Sequence, residues 1–125
     1  MALFDFFKKN NRKHIQNNLF NIQDDPSLKK LHTIPDISDV LKGELSNLYM
    51  QALVNMQNKS MTTITEEYTI SLLKSYYDIT KIVPMCIVDE IVKQVYDASY
   101  GALGKAIYTT PKMLKEKVLE KIYHI

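Results

Sequence analysis

The stretch Ser38-Asp39-Val40-Leu41-Lys42-Gly43-Glu44-Leu45-Ser46-Asn47-Leu48-Tyr49-Met50-Gln51-Ala52-Leu53-Val54-Asn55-Met56 decides the fold class. Val40, Leu41, Leu45, Leu48, Tyr49, Ala52, Leu53 and Met56 recur within it at three- and four-residue spacing, the period of a helix with one face turned to a core. Asp36 or Ser38 can cap its start. Gly43 costs about 1 kcal/mol relative to alanine, too little to erase so strong a pattern. The polar run Gln57-Asn58-Lys59-Ser60 stops it.

Working outward, the same period returns three times. Thr62 to Thr65 is β-branched and suits a brief extended segment. Thr63 with Glu66 has capping-box spacing, and Thr65 before two glutamates suits a helix start. The helix that follows should bury Tyr68, Leu72, Leu73, Tyr76 and Ile79 and end before Pro84. Pro84 suits the first position of the longest helix, over 84–108, with a stripe of Ile87, Val88, Ile91, Val92, Val95, Ser99, Ala102 and Leu103 extended by Ala106. Thr110-Pro111 opens a last helix lined by Leu114, Val118, Ile122 and Ile125.

Towards the N-terminus, Leu3, Phe4 and Phe7 share one helical face and are followed by Lys8, Lys9, Arg12 and Lys13. A short amphipathic helix is expected there, breaking at Asn10-Asn11 and resuming through Ile15, Leu19 and Ile22. Asp25-Pro26-Ser27 then reads as a cap with proline in the first helical position, leading to a short turn through Leu28 and Leu31. The reading is an all-α compact bundle of about four to five helices, with residues 1–35 a loosely attached or docking segment and residues 36–125 the bundle core.

The bulk numbers agree. A chain of 125 residues with 46% hydrophobic and 24% charged residues has the size and composition of a single globular domain. A lone Cys86 excludes an internal disulfide. With neither a secretory signal nor a membrane-spanning run in view, a cytoplasmic location is expected. Net charge is +2, unevenly spread: residues 1–33 hold six Lys/Arg against three Asp, 34–104 five Lys against nine Asp/Glu, and 105–125 five Lys against two Glu. Two basic ends flank an acidic middle. All the basic residues except Arg12 are lysine, the imprint of an AT-rich coding sequence such as those of low-GC bacteria and their phages. Bidentate readout of guanine prefers arginine, so specific nucleic-acid recognition is disfavoured.

Catalytic patterns are not found. Asp89, Glu90 and Asp97 lie on the polar side of the 84–108 helix, but Asp89 stands four residues before Lys93, the spacing of a surface ion pair. The Glu-x-x-His pairs of a di-metal bundle are missing, so neither metal nor cofactor is expected. His14, His32 and His124 have no acidic or thiol partner at ligand spacing. Cys86 sits in a helix's first turn, where a nucleophile would gain from the dipole, yet Met85, Ile87 and Val88 around it favour a small buried hydrophobe. Gly101-Ala102-Leu103-Gly104-Lys105 lacks phosphate-loop spacing and reads, with Ala98 and Ala106, as a strip for close helix approach.

The residues singled out for partner binding are Asp89, Lys93, Tyr96, Asp97 and Tyr100, an acidic face bearing tyrosines and suited to a basic protein, together with Phe4 and Phe7. They point to a non-enzymatic cytosolic binding protein that masks or regulates another protein, of the immunity-protein or phage-inhibitor kind. The alternatives are a nucleic-acid-associated regulator using the basic ends and a peripheral membrane adaptor lying on the surface through residues 1–13. Amphipathic helices with small-residue strips also suit a homodimer.

Overall fold

A computed structural model describes residues 20–123. The N-terminal amphipathic helix with Phe4 and Phe7, the membrane-surface reading of residues 1–13, and the roles considered for His14, Ile15, Leu19, His124 and Ile125 lie outside the described residues. Four helices form the bundle: α1 Ser38–Val54, α2 Met61–Thr80, α3 Met85–Leu103 and α4 Pro111–Tyr123. Two short strands, β1 Ile22–Gln23 and β2 Val83–Pro84, pair in parallel with Ile22 opposite Val83 and Gln23 opposite Pro84. A 3₁₀ turn over Pro26–Lys30 joins β1 to the segment that leads into α1.

The all-α expectation holds, with differences that have local causes. Ile22 belongs to a strand rather than to a helix resumed from the N-terminus, because Val83 offers it a backbone partner in the gap between α2 and α3. Pro84 is the cap of α3, with extended ψ of 148°, instead of its first helical residue. The longest helix is not 84–108. Gly104 takes φ +70° and returns its N–H to the Tyr100 carbonyl at 2.8 Å, which ends α3 at Leu103 and leaves Ala106 exposed in the following loop. That left-handed cap is glycine's usual place at a helix end. The longest helix is α2, because no extended segment precedes it. Ser60 Oγ accepts the Thr63 N–H at 3.1 Å, so the helix opens at Met61 and the threonines lie inside it. Thr65 and Thr69 return their hydroxyls to the carbonyls of Met61 and Thr65, at 2.7 and 2.8 Å, which lets them sit buried in a helix.

Those threonines rotate the buried face of α2. Its core side carries Ile64, Thr65, Glu66, Thr69 and Leu73, while the expected Tyr68, Leu72 and Tyr76 are half-buried and Ile79 is 83% exposed. On α1, Leu41, Leu45, Tyr49 and Ala52 are buried as expected, but Val40 and Leu53 face solvent, and Met56, expected as the last residue of the stripe, lies beyond the helix end at Val54 and is exposed. α3 is the central element, burying Ile87, Val88, Ile91, Val92, Val95, Ala98 and Ser99 among the other three helices. Leu114, Val118 and Ile122 of α4 are fully enclosed, and Phe20 and Ile22 contribute to the same core. Full burial of each such aliphatic side chain is worth about 1.5–3 kcal/mol.

Candidate interaction site

Two local devices hold carboxylates in the segment between β1 and α1. The Asp25 carboxylate accepts the Ser27 N–H at 3.0 Å and its hydroxyl at 2.9 Å, capping the 3₁₀ turn as the Asp-Pro-Ser sequence predicts. The backbone bond foremost, then the hydroxyl bond, holds its carboxyl below the usual range. At the start of α1 Asp36 likewise accepts the Ser38 hydroxyl and N–H, which with a smaller influence of Lys93 lowers its carboxyl. The cap position of α1 is nevertheless Ile37, without a side-chain bond, and not Asp36 or Ser38 as expected. The 3₁₀ turn then lies against α3, and between them opens a cleft of about 370 Å³ lined by Asp24, Asp25, Lys29, Asp89, Glu90 and Lys93, with Met85 and Cys86 on its apolar side. Four carboxylates and two ammonium groups line it, and one of the carboxylates, Asp89, is paired with Lys115 of α4.

The α3 residues expected to form one binding face divide into two sets. Asp89 reaches Lys115 Nζ of α4 at 2.6 Å, so its ion-pair partner is not Lys93, the neighbour suggested by spacing. Tyr96 donates its hydroxyl to the Tyr108 carbonyl at 3.2 Å and fastens the loop that leads into α4. These two tie helices together. Lys93, Asp97 and Tyr100 remain outward, with Tyr100 52% exposed. Cys86 is half-buried with its thiol 4.0 Å from the His32 carbonyl. His32, which has no partner in the sequence pattern, meets the Tyr76 hydroxyl through Nδ1 at 2.6 Å. Among the described residues, no group of three His, Cys, Asp or Glu side chains is placed to hold a metal ion. No described helix is long and apolar enough to cross a membrane.

Sequence reasoning misses three features. Gln94 is 4% exposed on the core side of α3. Its Oε1 accepts the Ile37 N–H at 2.8 Å, and its Nε2 donates to the Pro35 carbonyl at 3.0 Å. That clamp holds the entry to α1 over an apolar groove of about 250 Å³ between α2 and α3, walled by Ile34, Leu72, Tyr76 and Ile79. Second, Glu66 is buried between Tyr108, whose hydroxyl donates to it, and Lys121, whose Nζ lies at 2.9 Å. Burial, and after it the bond to Glu66, pushes Tyr108 well above the ordinary tyrosine range.

Third, beyond the exposed Asp39, Lys42 and Glu44 of its first turns, the solvent side of α1 carries no charge. Residues 45–58 contain no Asp, Glu, Lys or Arg, a signal that charge counted over larger windows conceals. A cleft of about 530 Å³ borders this face where α1 meets α2, between Asn47 and Gln51 on one side and Tyr68 and Ser71 on the other. Tyr68 spans its edge, donating to Glu44, and its own ionisation is pushed up by burial first and then by that carboxylate. Compared with known proteins, the chain matches no family model, no curated sequence and no solved structure.

Proposed function

We propose that this protein is a non-catalytic binding module that masks or regulates a basic protein partner, in the manner of an immunity protein or a phage-encoded inhibitor. The observation that carries this reading is the cleft between the 3₁₀ turn and α3, where Asp24, Asp25 and Glu90 outnumber Lys29 and Lys93, with Asp89 paired to Lys115 at its edge. Its walls are held in place before any partner arrives, by the Asp25–Ser27 cap and the Asp89–Lys115 bridge. Preorganised carboxylates steer a cationic partner and accelerate encounter. Lys93, Asp97 and Tyr100 extend the same face along α3, adding an aromatic contact beside the charge.

The test is capture of partners from source cells on the tagged chain, with and without nuclease, beside a variant carrying Asp24→Lys and Asp97→Lys. One stoichiometric basic protein that survives nuclease and is lost on charge reversal supports the reading. Purified, that partner should associate with the variant at least about tenfold more slowly at low salt. Capture that disappears with nuclease transfers the reading to a nucleic-acid-associated regulator. Binding indifferent to both charge reversals removes the α3 face.

A further inference from the structure

We infer that the cleft between α1 and α2 is a binding site for a neutral polyhydroxylated ligand, one or two sugar rings in size. Its shape follows from the two helices and their connection. Asn47 and Gln51 stand one turn apart on α1, Tyr68 and Ser71 line the α2 side, and Gln57 and Lys59 of the connection close one end. Ile64, 7% exposed, and the half-buried Leu48 give it an apolar floor. Backbone bonds hold the connection there. The Gln57 N–H returns to the Ala52 carbonyl at 2.9 Å and the Met56 N–H to the Leu53 carbonyl at 3.2 Å, the paired bonds of a left-handed helix end. Met56 takes φ +52° to make that turn, a position usually given to glycine.

The functional groups select the ligand. Asn47, Gln51 and Gln57 each present a side-chain amide with donors and an acceptor, and none of the three is bonded to another described residue. The charges at the cleft are engaged with one another or with the wall: Glu44 accepts the Tyr68 hydroxyl, and Lys59 Nζ holds Glu67 at 2.9 Å. An anion entering here meets two carboxylates for one ammonium group, and a cation competes with bonds already made. Neutral hydroxyls do neither. Each is donor and acceptor at once, so adjacent hydroxyls of a ring match the two ends of an amide, while the ring's C–H side lies on the apolar floor.

Size argues for a compact ligand. From Glu44 to Gln51 the α1 wall is about 10 Å long, room for about three residues of an extended peptide. A longer chain would have to leave through the end that the connection closes. The volume of about 530 Å³ lies within the range of small-molecule sites. No lining residue is shared with the cleft between the 3₁₀ turn and α3, so this site stands apart from the reading proposed for that cleft.

NMR titration of the isotope-labelled full chain tests the inference, with glucose, galactose, mannose, N-acetylglucosamine, maltose and cellobiose as probes at up to about 50 mM. At least one sugar is expected to shift the side-chain amide resonances of Asn47, Gln51 and Gln57 to saturation, with dissociation at about millimolar or below for a half-open site. Inorganic phosphate and ethylammonium at the same concentration should not shift them. Gln51→Leu and Gln57→Ala, both at exposed positions, should each weaken binding at least about tenfold while the circular dichroism and melting of the free chain stay unchanged. The inference is overturned if none of these sugars gives a saturable shift, or if phosphate or ethylammonium shifts the same amides as strongly. Sugar binding that is unchanged in both folded variants overturns it equally, since the ligand would then sit elsewhere.

Discussion

Replacing Gln94 by methionine isolates the clamp that holds the entry to α1. Methionine keeps the length of the side chain and fills the same space, so packing is nearly conserved. What is lost is the amide. Its Oε1 no longer receives the Ile37 N–H at 2.8 Å, and its Nε2 no longer reaches the Pro35 carbonyl at 3.0 Å or the Glu90 carboxylate at 3.2 Å. Each backbone bond is worth about 1 kcal/mol net, and a buried group left without a partner costs about 1–3 kcal/mol. Ile37 is 39% exposed, so water can reach its N–H after a small opening, which keeps the cost near the lower end. The expected loss is about 2 kcal/mol, or roughly 8 °C in melting temperature for a chain of this size. Guanidinium unfolding should show a lower midpoint with an unchanged slope. Amide hydrogen exchange should show Ile37 losing protection more than the centre of α3 does, because the segment before α1 opens locally. A stability change under about 0.5 kcal/mol with Ile37 still protected would refute the claim that this side chain holds the segment.

Lys121→Met should cost about 1–3 kcal/mol by stranding the buried Glu66 carboxylate beside Tyr108, less than a fully enclosed pair because the Lys121 side chain is 39% exposed. Adding Glu66→Gln should recover much of that loss, measured as the coupling in a double-mutant cycle. On the alkaline side, Tyr49, Tyr68, Tyr76, Tyr108 and Tyr123 all ionise above their ordinary value, in each case with burial as the largest cause. The unfolded chain therefore gives up these protons first, so stability is intact below about pH 10 and falls as pH rises beyond it. Denaturant midpoints at increasing pH, with tyrosinate absorbance followed in parallel, check both the sign and the window. Gly43→Ala should stabilise the chain by up to about 1 kcal/mol, whereas Gly104→Ala should destabilise by about 1 kcal/mol. Neither added methyl finds a neighbour within 4 Å, and the opposite signs come from the φ of +70° at Gly104 alone. Thermal melts of the two variants decide it.

How far the sequence can be read depends on which force set each feature. The caps were legible because they are local: Asp25-Pro26-Ser27 and Thr110-Pro111 place their elements as the residues imply. The ends of α2 and α3 were harder. Proline at 84 signalled a boundary, but the left-handed turn at Gly104 had to compete with an apolar pattern running on through Ala106. The proposed binding face was only partly legible. Asp89 and Tyr96 look free on α3, and only α4 folding alongside gives them Lys115 and the Tyr108 carbonyl.

By itself the sequence determined that this chain is a helical bundle and that helices open close to Ser38, Pro84 and Pro111, since periodicity and capping act over a few residues. Tertiary structure decided which part of each apolar stripe is buried. α1 carries more apolar side chains than one core face can take, so Leu41 and Leu45 go inside while Val40, Met50 and Val54 are left outside. α2 buries Thr65 and Glu66 because Tyr49 and Tyr108 arrive from elsewhere in the chain to meet them. Periodicity reports that a face is apolar. Whether that face meets the core, solvent or a second molecule is set by contacts between residues far apart in sequence, and those no local pattern contains.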